Sequence, residues 1–328
     1  MTYFIEGCFA GWLLLIVIWI FGFPTNGRAR SMSLIHAVIP LLVGLAYWLA
    51  PVPEMSASLG AYLAVGGILW ACLTFIWLLS LLLRNAGIMD SGYPLLVLCG
   101  SIAAWYLAAG ITYRAAIVVA LIAIWALRLA NHVLRGNLRT KGTLIGGEEQ
   151  PYATWRIRYG GRWWWWSYFQ VFMLQGVAVW VWMLPIVFAT SARDPLSFSD
   201  WLGLGVWLCG CIFQTVGDHQ LNAFKRNPEN RGRLMQSGLW SLTRHPNYFG
   251  EAVMWLGYFF FSLSHSYGWL TVVGPVYVYW FMGTGSAAAG NERHMLKTRP
   301  VAYAQYMANV PMLLPRFWRR ARGESHGE

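Results

Sequence analysis

The chain has 328 residues, 57% of them hydrophobic, with 21 Trp and only 11% charged residues; an ordinary soluble domain carries about 25% charged residues. That composition argues against a soluble globular enzyme and for a multi-pass membrane protein. The net charge of +11 raises nucleic acid or an anionic membrane as partners, and its distribution decides between them.

A helix needs about 20 predominantly apolar residues to cross a bilayer. Taken in order, the runs that approach this are Tyr3–Phe23, Ser33–Ala50, Ala57–Leu83, Tyr93–Tyr113, Ala115–Leu134, Trp163–Ala192, Trp201–Gly217, Asn247–Leu263 and Tyr267–Gly285. They are continuous rather than alternating, which favours helices over strands. The expected fold is an all-α, multi-pass membrane bundle of about seven to ten transmembrane helices. The N-terminus, MTYFIEGCFAGW, has no basic n-region and reads as the start of the first membrane helix rather than a cleavable signal. Cys8, Cys72, Cys99, Cys209 and Cys211 all lie in apolar runs without a CxxC. They read as small packing residues, with neither a disulfide framework nor a metal site expected.

Basic residues set the expected orientation. With the N-terminus outside and the C-terminus cytoplasmic, the inner loops and tail carry nearly all of the 24 Lys and Arg. The outer loops carry only Arg114 and Arg193, and Arg128 lies inside the fifth run. This asymmetry accounts for the charge with no nucleic-acid partner. Trp163 to Trp166 fit an interfacial aromatic belt.

Two inner loops exceed what a turn needs, Arg135–Arg162 and Asp218–Asn247. In the second, Asp218 and Lys225 are seven apart and share a face if the seventh helix continues through them. Arg226, Arg231, Arg233 and Arg244 follow, and clustered guanidinium groups suit phosphate oxygens. A basic loop that only sets topology or touches anionic lipid is the alternative. Pro246 suits a first helical position. The N–H groups of Asn247, Tyr248 and Phe249 are then expected to be partly free, as in an anion site. Asn247 and Glu251 share a face at i, i+4, and a Glu one turn inside a membrane helix is a functional candidate; a pair that only pins the helix is the competing reading. Arg128, His132 and Arg135 form a second polar face, where Arg128 either faces the protein interior or snorkels to the interface. Glu148, Glu149, Tyr152, Arg156 and Arg158 follow, with Tyr152 and Arg156 one helical turn apart. The tail places Asn291, Glu292, Arg293 and His294 before an amphipathic VAYAQYMANV. No GxGxxG after a strand, GxxxxGK[ST], HExxH or GxSxG is present.

Together, Asp218-x6-Lys225, NPENRGR, SGLWSLTRHPNYFGE, and Asn291-Glu292-Arg293 with Tyr303 and Tyr306 before Pro311 and Pro315 resemble the C-terminal half of the steroid 5-alpha-reductase superfamily, most nearly its bacterial branch. The resemblance runs from about Arg128 to Pro315. It divides the chain into N-terminal membrane helices, 1–113, and a steroid-reductase-like membrane domain, 114–328. It implies an integral membrane enzyme that takes NADPH from the cytoplasmic side and reduces an activated C=C bond, an enone, in a steroid- or isoprenoid-like substrate. Asp218, Lys225, Asn247 and Glu251 would surround the cofactor, with Arg128, Arg244, Tyr248 and Glu292 as further candidates. Implied partners are a lipophilic small molecule and membrane lipids, with no obligate protein partner evident, and the implied location is a bacterial inner membrane. Isoprenylcysteine carboxyl methyltransferases also carry an RHPxYxG motif, so a membrane S-adenosylmethionine-dependent methyltransferase is the alternative. The position three before Arg128, a Tyr in steroid reductases, is Trp125 here. Glu6 and Glu54, the carboxylates of the first two helices and their outer loop, both lie toward the outside. No catalytic proton donor is assigned.

Overall fold

The computed structural model describes residues 2–21, 27–108, 110, 112–141, 147, 148 and 150–317. Of the expected features, Glu149 and the last basic residues of the tail lie outside them. Every regular element among the described residues is helical, as required of apolar runs whose backbone groups must be satisfied within the segment. In order these are α1 (Thr2–Phe21), α2 (Gly27–Trp48), α3 (Pro53–Leu82), α4 (Ile88–Leu107), α5 (Tyr113–Lys141), α6 (Tyr152–Tyr159), α7 (Trp163–Ser167), α8 (Leu174–Trp182), α9 (Leu184–Ser191), α10 (Phe198–Arg226), α11 (Pro246–Ser262), α12 (Val273–Trp280), α13 (Ala287–Thr298) and α14 (Pro300–Asn309). Among the described residues, four helical stretches, Pro53–Leu82, Ile88–Leu107, Tyr113–Leu138 and Tyr152–Ser191, are long and apolar enough to cross a membrane.

The chain forms two compact units, residues 1–200 with 259–274, and residues 201–258 with 275–328. In the first unit the α8–α9 segment is central and packs on α2, α3, α4 and α5. Its path is not one straight helix. A π-helical stretch, Tyr168–Met173, precedes α8, and Pro185 lies in the first turn of α9, so each break falls where helical hydrogen bonding is rearranged or a donor is missing. Tyr62 and Trp180 lock α3 to α8: their rings stack at 4.6 Å, Tyr62 Oη donates to the Trp180 carbonyl at 2.8 Å, and Trp180 Nε1 donates to the Tyr62 carbonyl at 2.9 Å. Gly66 makes room, since a Cβ there would lie 2.8 Å from the Trp180 ring.

Arg114, expected as an outer-loop charge, sits in the first turn of α5 and is 1% exposed. Its Nε and Nη2 donate to the two oxygens of Asp200 at 2.7 and 2.9 Å. Nη1 and Nη2 also donate to the carbonyls of Asp194 and Pro195 at 3.0 and 2.8 Å. A guanidinium can be buried when its donors are met this fully.

In the second unit, α10 and α11 approach backbone to backbone. A Cβ on Gly210 would lie 2.6 Å from the Gly250 carbonyl, one on Gly250 2.5 Å from the Gln214 nitrogen, and one on Gly257 2.8 Å from the Gly203 carbonyl. Gly203, Gly210 and Gly217 recur every seven residues and Gly250 and Gly257 match them, a small-residue seam of the kind membrane helices use.

Candidate active site

α10 continues through Asp218 and Lys225 to Arg226, so the two share a helix as the spacing requires. Asp218 is buried and Lys225 is exposed in the last turn. Two turns separate them, about 10 Å along the axis. The glycine seam then sets the register against α11. A Cβ on Gly217 would lie 3.3 Å from the Asn247 nitrogen, which puts the residue before Asp218 level with the start of α11. One turn deeper, Gln214 Nε2 donates to Glu251 Oε2 at 2.9 Å, with both side chains buried. Gln214 was not legible as a site residue because it sits inside an apolar run. Its one signal is the i, i+4 spacing to Asp218.

Pro246 is the first residue of α11, as expected. The anion cradle expected behind it is not formed as three partly free donors. The Tyr248 N–H donates to Asn247 Oδ1 at 3.1 Å and the Phe249 N–H to the His245 carbonyl at 3.0 Å. The helix closes on its own preceding carbonyl and on an Asn side chain, which removes two of the three donors.

The other flank of this helix start is an ionic cluster. Arg244 Nε pairs with Glu292 Oε1 at 2.7 Å, both side chains 6% exposed. His245 Nε2 lies 3.3 Å from the same oxygen. Arg244 Nη1 donates to the carbonyls of Met307 and Val310, and the Arg244 N–H to that of Pro311 at 2.9 Å. Much of the guanidinium therefore serves the fold. The His245 and Tyr248 rings stack at 5.3 Å and are nearly parallel, and Asn291 Nδ2 donates to Tyr248 Oη at 2.8 Å. Thr243 Oγ1 donates to the carbonyls of Met312 and Leu313 at 3.0 and 2.9 Å. Trp240 Nε1 donates to the Gly217 carbonyl at 3.0 Å, and Tyr306 Oη to that of Trp240. The RHPNY string is thus woven into the tail by side chains from both.

Burial alone would raise the Glu292 carboxyl; hydrogen bonds from His245 and Arg244, with their charges, outweigh it and hold the group below the usual carboxylate range. Burial, with Glu292 nearby, pushes the Tyr303 phenol up to about 12, so it stays protonated at neutral pH.

The basic stretch before α11 is exposed but held. Asn227 Oδ1 accepts from the Glu229 N–H at 3.0 Å, Asn230 Nδ2 donates to the Phe224 carbonyl at 3.0 Å, and Arg299 Nε donates to the Gly232 carbonyl at 3.1 Å. Lys225, Arg226, Arg231 and Arg233 are all exposed here. Arg128 belongs to the first unit, half-buried on α5. The other seven candidates fall in the second unit.

Comparison with known proteins gives the family. A family described as "Protein of unknown function (DUF1295)" matches residues 76–310. The chain is 27% identical over 192 residues to the mouse (Mus musculus) Delta(14)-sterol reductase TM7SF2, covering 52% of this chain and 42% of that protein. It is 33% identical over 104 residues to a Delta(14)-sterol reductase of Ascobolus immersus, covering 26% and 24%. It is 34% identical over 87 residues to the bovine (Bos taurus) 3-oxo-5-alpha-steroid 4-dehydrogenase 1, covering 26% and 34%. The chain therefore spans less than half the length of each of these relatives. No solved structure gives a significant match. With most of its length matched, the chain belongs to the DUF1295 family, within the steroid 5-alpha-reductase superfamily.

Proposed function

We propose that the chain is an integral membrane reductase that uses NADPH to reduce an activated C=C bond, an enone, in a lipophilic steroid- or isoprenoid-like substrate. The names of the relatives, sterol reductase and steroid dehydrogenase, support the reaction class. One observation carries the assignment of the site. At the start of α11, buried Glu251 and Gln214 on one flank and the Arg244–Glu292–His245 cluster on the other form a polar wall in an apolar unit.

The residues fit the cofactor by the chemistry of their donors. NADPH carries a pyrophosphate and a 2′-phosphate, and exposed Lys225, Arg226, Arg231 and Arg233 match that charge on a segment fixed by Asn227, Asn230 and Arg299. Asn247, Glu251 and Asp218 offer the mixed donors and acceptors that a ribose or carboxamide needs. When bound, NADPH supplies the hydride. Arg244 and Glu292 position His245 and Tyr248 by fixing the first turn of α11 against the tail. The substrate and the bilayer lipids are the partners, and the site opens to the cytoplasm of a bacterial cell.

Purified protein in detergent should oxidise NADPH when a hydrophobic enone is added, with loss of nicotinamide absorbance and formation of the saturated ketone. Transfer of a methyl group from S-adenosylmethionine with no NADPH oxidation would establish the methyltransferase instead.

A further inference from the structure

The first unit has an apolar groove of about 630 Å³ between α3 and α4. Ala71, Cys72, Phe75, Ile76, Leu79 and Leu83 line one wall, and Ile88, Ser91, Gly92, Leu95, Leu96 and Cys99 line the other, with Leu134 of α5 beside them. Each set repeats at helical spacing, so the groove runs along the helices rather than across them. The volume lies within the range of sites for lipophilic molecules.

From Ala71 to Leu83 the groove covers about 18 Å of helix, close to the roughly 15 Å of hydrocarbon in one leaflet. Its inner end is marked by the Cys72 and Cys99 thiols, whose sulfurs are 3.9 Å apart. Its other end is the tight turn between Leu83 and Ile88. Arg84 occupies that turn with φ 50°, the left-handed conformation in which a helix usually ends on Gly. A non-glycine residue is disfavoured in that conformation. Arg135 follows the lining residue Leu134 and is likewise exposed. Among the described residues no carboxylate pairs with either. The nearby acids are engaged elsewhere: Asp90 accepts from Tyr152 Oη at 2.9 Å, and Glu148 accepts from Arg156 at 2.6 and 2.8 Å and from the Ala86 N–H at 2.8 Å.

We infer that this groove is a binding site for one acyl chain of an anionic phospholipid whose headgroup lies at Arg84 and Arg135. Three features select this occupant: a length of one leaflet, an apolar lining on helices that can cross the membrane, and cationic residues at one end only. A free phosphate would leave the apolar walls uncovered.

Three variants separate the ligand from the fold. Gly92→Leu adds a side chain to the groove, and its Cβ would meet Ile76 at an ordinary 3.5 Å. Ser91→Leu adds bulk at the neighbouring lining position as a second blocker. Arg84→Gly removes the charge and relieves the turn. The full chain would be reconstituted in vesicles of equal phosphatidylglycerol and phosphatidylcholine, extracted, and measured by native mass spectrometry. Wild type should retain one phosphatidylglycerol. Gly92→Leu and Ser91→Leu should each reduce that occupancy at least fivefold. Arg84→Gly should melt no lower than wild type, keep a bound lipid and lose the preference for phosphatidylglycerol at least fivefold. Wild type emerging without lipid would overturn the inference, as would retention unchanged in both groove-filling variants. Equal retention of the two lipids by wild type would overturn the headgroup assignment.

Discussion

Glu292 joins Arg244 and His245 in one buried cluster, and its ionisation contributes to the pH dependence of stability. Its carboxyl is depressed in the folded chain, so the unfolded chain binds more protons in acid. The stabilisation is complete above the unfolded value of about 4.3 and is lost as pH falls through the lower folded value. Melting temperature measured from neutral to acid pH should fall more steeply in wild type than in Glu292→Gln, which starts lower and stays flatter. Arg114 and Asp200 make the matching case in the first unit. Removing one partner, as in Arg114→Met, should cost about 3–5 kcal/mol, whereas replacing both with apolar residues should cost much less. A thermal-unfolding cycle over the four variants tests this; a loss in the double variant equal to the sum of the two single losses would show that the pair is not coupled. At this scale the sequence was an uneven guide. Glu251 stood out because a carboxylate in an apolar run is conspicuous. Arg114 was misread as a loop charge because its partner is 86 residues away and no local pattern reveals it. Gln214 was hidden by being neutral.

At the scale of elements, the α10–α11 pair sets where the proposed site would form. Their close approach depends on glycines that meet backbone atoms, which cannot swing aside as a side chain end can. Gly250→Ala should therefore cost about 1–3 kcal/mol and, by forcing the helices apart, weaken NADPH binding as well. Gly205→Ala on α10, where a Cβ meets nothing within 4 Å, should not lower stability and should leave NADPH binding unchanged. Stability and nicotinamide titrations on the two variants distinguish a seam that positions the site from a general loss of helix flexibility. Helix starts and continuations were legible: Pro246 marked the start of α11, and the Asp218–Lys225 spacing anticipated the extension of α10. The seam was not, because glycine in an apolar run looks the same whether it faces lipid or another backbone. The breaks inside Tyr152–Ser191 were also invisible, since hydropathy reports length and polarity but not hydrogen-bond register.

For the molecule as a whole, composition announced an all-helical membrane protein, and the family assignment agrees with the motif that stood out in the sequence. What ties these together is the proposal that the second unit holds a nicotinamide cofactor at the start of α11. The most direct test is a titration of purified wild type and Glu251→Ala with NADPH, followed by nicotinamide fluorescence. Wild type should bind saturably, with no competition from S-adenosylmethionine. The variant should remain folded and bind about 10- to 100-fold more weakly, as expected for loss of a charged hydrogen-bond partner of about 1.5–3 kcal/mol. Equal affinity in the two proteins, or displacement of NADPH by S-adenosylmethionine, would contradict the account.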